Sequence, residues 1–585
     1  MSSPFFTTIK ISKEMYKHYL IAIVFIVASL KVNAQILIPD SLYGTNSATA
    51  FSSPFGETFI KFLLQTDGKI ISAGYDYDSN TNSFHIDMFR HDQCGELDSA
   101  FGVNGLSRIT FEQRNTGYGF TLQPDGKIIS VGIQAPSNSG SQQIPYVARF
   151  NADGNPDTTF GTGGSNSLRF DATSSGAFYS PHVLSDGRIV CMGNSSGNIN
   201  GGVNAVGLMR FNADGTLDLT FDGDGKVQKS GIGLFYSELN GYIVNDRYIV
   251  GGLATDGSFL QHFFAVAFDT TGAVDTTWAS NGIFNYPINL SGGICSFKQS
   301  DGKILLGAQK DPATDGIGVI RINPDGTLDS TFAQSGLMSI VNTSLTVKRI
   351  KELSTGKILV MGISSLGFGM GFGYQLNNDG STDTLFGASG LMNFDLNGNT
   401  GTHSLMDVLE LQGGRLLAGG SASDMISKRY IEMSNVPYIS LNNMLLSSTG
   451  NGTFQWYRDS VLLPGATNAT HDPLLPGNYQ VELTDDIGCT YLSAPFEILS
   501  AGVTSNGSAE FNIYPNPFMG RIIITDINEP AQVTILDVSG KVIADYTFTS
   551  SGIKELNTEY ILPGSYLCRI NTDRVSIIKR LIKVE

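Results

Sequence analysis

Hydrophobic and polar positions alternate in short runs along most of this chain, and the runs repeat. The stretch TDGKIISAG, carrying Asp67 and Gly74, returns as PDGKIISVG (Asp125–Gly132), SDGRIVCMG (Asp186–Gly193) and VNDRYIVGG (Asn245–Gly252). It returns again as SDGKILLGA (Asp301–Ala308), STGKILVMG (Thr355–Gly362) and GGRLLAGG (Gly413–Gly420), with successive starts 54 to 61 residues apart. Asp-Gly supplies the positive-φ turn favoured between antiparallel strands. The run that follows is rich in β-branched residues and alternates, which predicts a half-buried strand. An apolar segment before the turn, 59–65 or 119–123, makes each copy a hairpin.

A second motif follows about twenty residues later, as in RFNADGNPDTTFGTGG (149–164) and RINPDGTLDSTFAQSG (321–336). Its core is Asp, two residues, then an aromatic: Asp98/Phe101, Asp157/Phe160, Asp218/Phe221, Asp275/Trp278, Asp329/Phe332 and Asp383/Phe386. Strands enter and leave this segment, so each unit carries four short strands, the content of a propeller blade. The last unit ends at 429–436 without its Asp-x-x-aromatic. The missing half stands near the other end, at Asp40 and Tyr43. The expectation is therefore an all-β chain opening with a seven-bladed β-propeller over 35–436, closed from both ends. Closure leaves only short, protected sheet edges, whereas an open solenoid would need caps. The paired signatures resemble the delta-60 repeat family of bacterial β-propellers, which implies the same fold.

Pro437 begins a different texture. Residues 437–500 hold Q-W-Y-R-D, P-G-N-Y-Q-V and T-D-D-I-G-C, and resemble small immunoglobulin-like modules of Bacteroidetes surface proteins. The resemblance implies a β-sandwich spacer in which Trp456 is the buried strand-C tryptophan and Tyr479 the corner tyrosine. One cysteine, Cys489, stands where antibody domains carry two, so the module is expected to rest on its apolar core. Residues 501–510 read as a polar linker. Residues 511–585 predict a compact antiparallel sandwich with hairpin turns at Ser539-Gly540 and Pro563-Gly564. They resemble the C-terminal sorting domain of the type IX secretion system. The carriers are Tyr514-Pro515-Asn516-Pro517, Asp537 to Lys541 with Gly540, Gly564 and Tyr566, and the basic tail from Lys579. The resemblance implies the secretion machinery as a partner, then release or surface attachment.

Residues 1–34 read as a signal peptide: Lys10, Lys13 and Lys17, an apolar core at 19–30, and cleavage between Ala34 and Gln35. The apolar core falls short of the ~20 residues a spanning helix needs, so the mature chain is expected to lack a transmembrane anchor. Net charge is −16 with 68 glycines. An acidic chain without a Lys/Arg cluster argues against nucleic acid. Five scattered cysteines are too few for a disulfide framework, and most are expected as buried thiols.

No histidine or cysteine spacing signals a metal, and no catalytic residues or cofactors are assigned. Asp214, Asp218, Asp222 and Asp224 form a weak calcium candidate. A GxSxG string, Gly193–Gly197, follows a strand without opening a helix, so it does not read as a nucleophile elbow. The recurring Arg90, Arg149, Arg210, Arg321 and Arg429 are candidates to pair with the recurring Asp, although Ala267 and Gln375 replace the Arg in two units. Ser41, Ser99, Thr158, Thr276, Ser330 and Thr384 follow that Asp in a pattern resembling Bacteroidetes O-glycosylation acceptors. A turn also favours these residue types there. The reading is a secreted or surface, monomeric, non-enzymatic propeller that binds a glycan or surface protein. The alternatives are a polysaccharide lyase or hydrolase, which needs carboxylates, His or Arg converging at the central channel, and a purely structural surface protein.

Overall fold

The computed structural model describes residues 37–584 apart from 499–510 and shorter stretches, the longest of them 136–142, 197–203 and 397–403. The leader with its Ala34/Gln35 cleavage site and the 501–510 linker lie outside the described residues, as do Ser41 and Gly540. The chain divides into two compact units, Met1–Val436 and Pro437–Glu585.

The first unit is made of antiparallel sheets whose strands follow chain order. Strands Glu57–Leu64, Ile70–Asp78, Ser83–His91 and Leu106–Thr110 form one; Arg114–Leu122 to Ser165–Ser167 and Ser175–Val183 to Lys226–Lys229 form the next two. A seven-stranded sheet runs from Tyr236–Val244 to Leu337–Ile340. Its strand Ile283–Lys298 spans 16 residues and pairs with Gln261–Phe268 through its first half and Ile304–Lys310 through its second. Leu345–Glu352 to Leu391–Phe394 and Ser404–Glu410 to Met425–Glu432 follow. The last sheet is completed from the N-terminal side, where Leu37–Pro39 and Ala48–Phe51 both pair with Met425–Glu432.

The inner strands form a closed circuit. Glu57–Leu64 packs on Arg114–Leu122, then in turn come Ser175–Val183, Tyr236–Val244, the second half of Ile283–Lys298, Leu345–Glu352 and Ser404–Glu410, which returns to Glu57–Leu64. Six inner strands carry a bulge at the same level, between Phe59 and Lys61, Gly117 and Gly119, Phe178 and Ser180, Ser237 and Asn240, Val347 and Arg349, and Leu405 and Asp407, and Ile283–Lys298 carries one a pair further from the turn, between Gly292 and Ile294. The bulge explains the glycine that ends the repeated motif. A Cβ on Gly74, Gly132, Gly193 or Gly362 would lie 1.8–1.9 Å from the carbonyl oxygen of Thr58, Thr116, Ala177 or Thr346.

The motif strands depart from expectation in one respect. They are buried on both faces: Ile70, Ile71, Ser72 and Ala73 are all sealed from solvent, as are Ile128, Ile129, Ser130 and Val131. Each sheet is covered by a neighbour on either side, so alternation marks which neighbour a side chain meets, not core against water. The apolar clusters accordingly span adjacent sheets, as where Tyr43, Phe51, Phe59, Phe62 and Phe89 pack with Leu417 and Met425.

In the second unit, residues 439–498 form two sheets around buried Trp456, Tyr479, Val481 and Leu446. Trp456 Nε1 donates to Asn468 O at 2.9 Å, and Tyr479 Oη donates back to Leu475 O at 2.6 Å. Residues 512–583 form a three-stranded and a four-stranded sheet over a core that includes Ile522, Ile524, Val533, Ile535, Cys568 and Ile570. Pro563-Gly564 is not a hairpin turn. Gly552–Asn557 pairs in the three-stranded sheet and Gly564–Thr572 in the four-stranded one, so this segment crosses between sheets. Its shape is held by Tyr566 Oη donating to Leu562 O at 2.7 Å. Cys191, Cys295 and Cys568 are buried free thiols.

Candidate functional site

The recurring Arg and Asp meet at every junction where the Arg exists. Nε to Oδ2 distances are 2.8 Å for Arg90–Asp98, Arg149–Asp157 and Arg321–Asp329, 2.6 Å for Arg210–Asp218 and 2.7 Å for Arg429–Asp40. The guanidinium lies 4.6 Å from the ring centre of Phe101, Phe160, Phe221 or Phe332. It also reaches the following sheet, donating to Ala152 O, Ala213 O, Thr270 O, Asn378 O and, across the closure, Gln93 O. The Asp-Gly-Lys motif joins the same junction: Lys69, Lys127, Lys303 and Lys357 each reach the Asp of their own unit. Where Ala267 replaces the Arg, Arg247 from the motif position holds Asp275; where Gln375 replaces it, its amide donates to Asp383 at 2.8 Å.

These contacts set the charge state of the carboxyls. Burial alone would raise Asp157, Asp218 and Asp329, but hydrogen bonds from Lys127, Arg188 or Lys303 and from the following Thr outweigh it and hold them below the usual range. Asp98 is lowered chiefly by Lys69.

The calcium candidates are dispersed in use. Asp218 faces Arg210 and Arg188, Asp214 Oδ1 accepts from Thr216, and Asp224 Oδ1 accepts from Lys226 N. Asp222 is exposed at φ 51°, its carboxyl raised by burial and by the charges of Asp224 and Asp269. Among the described residues, the three carboxylates that do converge, within 4.8 Å, are the buried Glu57, Asp76 and Asp87. Arg108 sits among them, 2.6 Å from Asp76 and 2.5 Å from Asp87, and His85 holds Asp76 at 2.6 Å. Among the described residues, no other unit brings three carboxylates together in this way, so the repeat carries no signal for it.

Ser195 of the GxSxG string is buried in a strand and accepts from Gln228. Ser99, Thr158, Thr276, Ser330 and Thr384 are all exposed. In the tail, Asn516 ties the entry loop to the last strand, donating to Arg580 O at 2.7 Å and accepting from Ile582 N at 2.8 Å. Lys579 Nζ donates to Phe511 O, Asp537 Oδ1 accepts from Lys541 N, and Tyr514 is half exposed beside Pro515 and Pro517.

The inner circuit brings together residues that no repeat announces. Arg349 Nη2 donates to Ile60 O at 3.0 Å, past the intervening strand Ser404–Glu410, and Lys351 pairs with Asp407 at 3.1 Å. Lys61 Nζ donates to Phe120 O at 3.2 Å. Burial, followed by the charges of Lys351 and Arg349, lowers Lys61 to about 8, with Asp407 opposing. His182 Nε2 contacts Gly241 O at 2.7 Å; burial first, with Lys61 and Lys298 contributing, lowers it to about 4. Tyr242 Oη meets Ser296 Oγ at 2.9 Å, its acidity suppressed by burial. Tyr118 and Tyr179, at the bulges of adjacent strands, stack partly buried with ring centres 5.3 Å apart. The Lys and Arg charges felt by Lys61 and His182 belong to inner strands that are not their neighbours in the circuit. These residues were missed because they differ from unit to unit; their one sequence signal is a polar or aromatic residue where the other copies vary.

Fold and junctions define an all-β chain with a β-propeller and a C-terminal sorting domain. Residues 512–584 match the Secretion system C-terminal sorting domain, and 123–160, 184–221 and 299–332 match Domain of unknown function (DUF5122) beta-propeller. The chain is therefore exported through the type IX secretion system to the cell surface or beyond it. Among the described residues, no helix is long and apolar enough to cross a membrane. The chain is similar to a solved protein of unknown function from Dyadobacter fermentans, at 11% identity over 68% of this chain and 99% of that one, with TM-score 0.35. It is similar also to the β-propeller domain of the Trilobed protease from Pyrococcus furiosus, at 10% identity over 65% and 94%, with TM-score 0.35. Comparison with curated proteins finds no match.

Proposed function

We propose that this chain is a non-enzymatic binding protein of the cell surface or its surroundings, which takes a glycan or surface protein at its central channel. One observation carries the reading. The recurring Asp, Arg and aromatic side chains are engaged in the junctions, whereas the non-recurring Lys61, Tyr118, Tyr179, His182 and Arg349 gather where the inner strands bulge. Bulges re-aim side chains and are enriched at functional rims.

The sharing of Ile283–Lys298 between two groups of strands supports a count of seven delta-60-type blades. The corner bond of Tyr479 supports an immunoglobulin-like spacer. The tail is the part that engages the secretion machinery. Exposure of Ser99, Thr158, Thr276, Ser330 and Thr384 supports glycosylation there, and an intact mass equal to the bare polypeptide would exclude it. The enzymatic alternative draws on Arg349, His182, Tyr242 and Asp407 approaching the same channel; release of shorter products from a bound polysaccharide would establish it.

The test is a glycan binding screen with the full purified chain, run with calcium and with chelator, and surface crosslinking in parallel. Binding or a specific crosslink supports the reading. Binding lost with chelator would bring Asp214, Asp218, Asp222 and Asp224 into it, and no partner in either arm would leave the structural role.

A further inference from the structure

We propose that the channel is a binding site for a carboxylated sugar, a uronate unit whose ring lies against Tyr118 and Tyr179 and whose carboxylate meets Lys61, Lys351 and Arg349. The inference rests on the channel-binding reading and names its ligand class.

Three observations converge on it. First, a chain of net charge −16 gathers Lys61, Arg349 and Lys351 on the inner strands around Asp407, with Lys298 further along the circuit. The next carboxylates along the same strands, Glu352 and Glu410, are turned away to accept from Ser300 N at 2.7 Å and Ser354 N at 2.6 Å. Cations gathered against their mutual repulsion, in a partly desolvated place, favour an anionic guest. Burial first, and then the charges of Lys351 and Arg349, lower Lys61 to about 8.

Second, the cations are placed by the backbone rather than left to wander. Lys61 is held to Phe120 O, Arg349 to Ile60 O and Lys298 to Ile243 O at 3.3 Å, while the side-chain carboxylate of Asp407 holds Lys351. Anchored donors lose less entropy on binding. Arg349 adds a planar guanidinium suited to a carboxylate.

Third, the aromatic pair decides between a bare anion and a sugar. Phe120, whose carbonyl holds Lys61, lies two residues from Tyr118 on the same inner strand, which brings the ammonium and the tyrosine pair to neighbouring positions of one strand. An inorganic anion has no use for a stacked, partly exposed aromatic face; a sugar ring does. Apolar walls with a few fixed polar groups are the usual form of a small-ligand site.

The experiment is calorimetric titration of the full chain with trigalacturonate, its neutral methyl ester and inorganic phosphate. The expected result is binding of the acid, weakened by salt, with the ester and phosphate much weaker. Lys61→Gln and Lys351→Gln should each lower affinity about tenfold or more, as loss of a charge-assisted hydrogen bond does. Tyr118→Leu should weaken the sugar without changing the salt dependence. Thermal unfolding of each variant establishes that it is folded. Equal binding of acid and ester would overturn the uronate assignment while leaving glycan binding in place. Phosphate binding as tightly as the sugar would overturn the sugar. Undiminished acid binding by all three folded variants would overturn the site, and no binding of any of the three ligands would overturn the proposal.

Discussion

Arg321→Ala removes one junction clamp and leaves the rest of the ring intact. Arg321 and Asp329 are each 4% exposed and 2.8 Å apart, and Arg321 also holds Asn378 O of the next sheet and covers Phe332. Breaking a buried pair from one side costs about 3–5 kcal/mol when the remaining charge is stranded. Asp329 is not stranded, because Lys303 at 3.0 Å and Thr331 at 2.6 Å still reach it. That compensation trims the charge penalty, while the lost bond to Asn378 O and the lost contact with Phe332 each add about 1 kcal/mol. The terms overlap, and the expected total is about 3 kcal/mol. Arg321→Gln reproduces the neutral pair found at Gln375 and Asp383, and should cost about half as much. Urea unfolding of the full chain, followed through the buried Trp278, which donates to Pro324 O at 3.0 Å, reads the effect beside the substituted junction. Arg521→Ala is the control, since its pair with Glu555 is largely exposed and should contribute less than about 1 kcal/mol. A cost for Arg321→Ala within about 0.5 kcal/mol of that control would refute the clamp.

Acid should loosen all the junctions together. The folded carboxyls of Asp98, Asp157, Asp218 and Asp329 are depressed, so the unfolded chain takes up protons first, below about pH 4, and stability present above that pH is lost on acidification; a flat unfolding midpoint between pH 5 and 3, as rough bounds, would argue otherwise. His91, buried near Tyr43 and Ser72, is lowered from 6.5 to about 4, so stability at the closure should fall as pH drops from 6.5 towards 4. Substituting His91 by Asn should remove that part of the pH dependence, which a midpoint-against-pH series would register. Asp40→Ala leaves Arg429, itself wholly buried, without its closing carboxylate, and should cost more than Arg321→Ala in the same urea assay. Deleting 512–584 should hold the chain inside the cell envelope; its appearance at the surface on fractionation would show a second export signal.

The period, the hairpin turns and the junction pairing were legible because they repeat. Recurrence of Arg eight residues before Asp, as in Arg149 and Asp157, pointed to a pair that the structure contains. What recurrence could not show was substitution of role. Ala267 looked like a broken pair, yet Arg247 arrives from the preceding hairpin to hold Asp275. Burial on both faces of Ile70–Ala73 was also hidden, since alternation reads the same whether the second face meets water or another sheet. The Pro563-Gly564 segment has the composition of a hairpin turn, and only the pairing of its flanking strands with different sheets reveals a crossing. The channel residues were least legible. Lys61, Gly119, Ser180, Asn240, Cys295, Arg349 and Asp407 occupy the same register position and share no chemistry. A ring turns that variation into one asymmetric wall, which no single unit contains.

The most direct measurement is hydrogen exchange of the full chain with and without its captured glycan. The proposed division between junction residues and channel-binding residues predicts new protection in 57–64, 114–122, 175–183 and 345–352, with the exposed Asp-Ser/Thr turns unchanged. Protection confined to those turns, or to 512–584, would place the ligand outside the channel and contradict the division of labour.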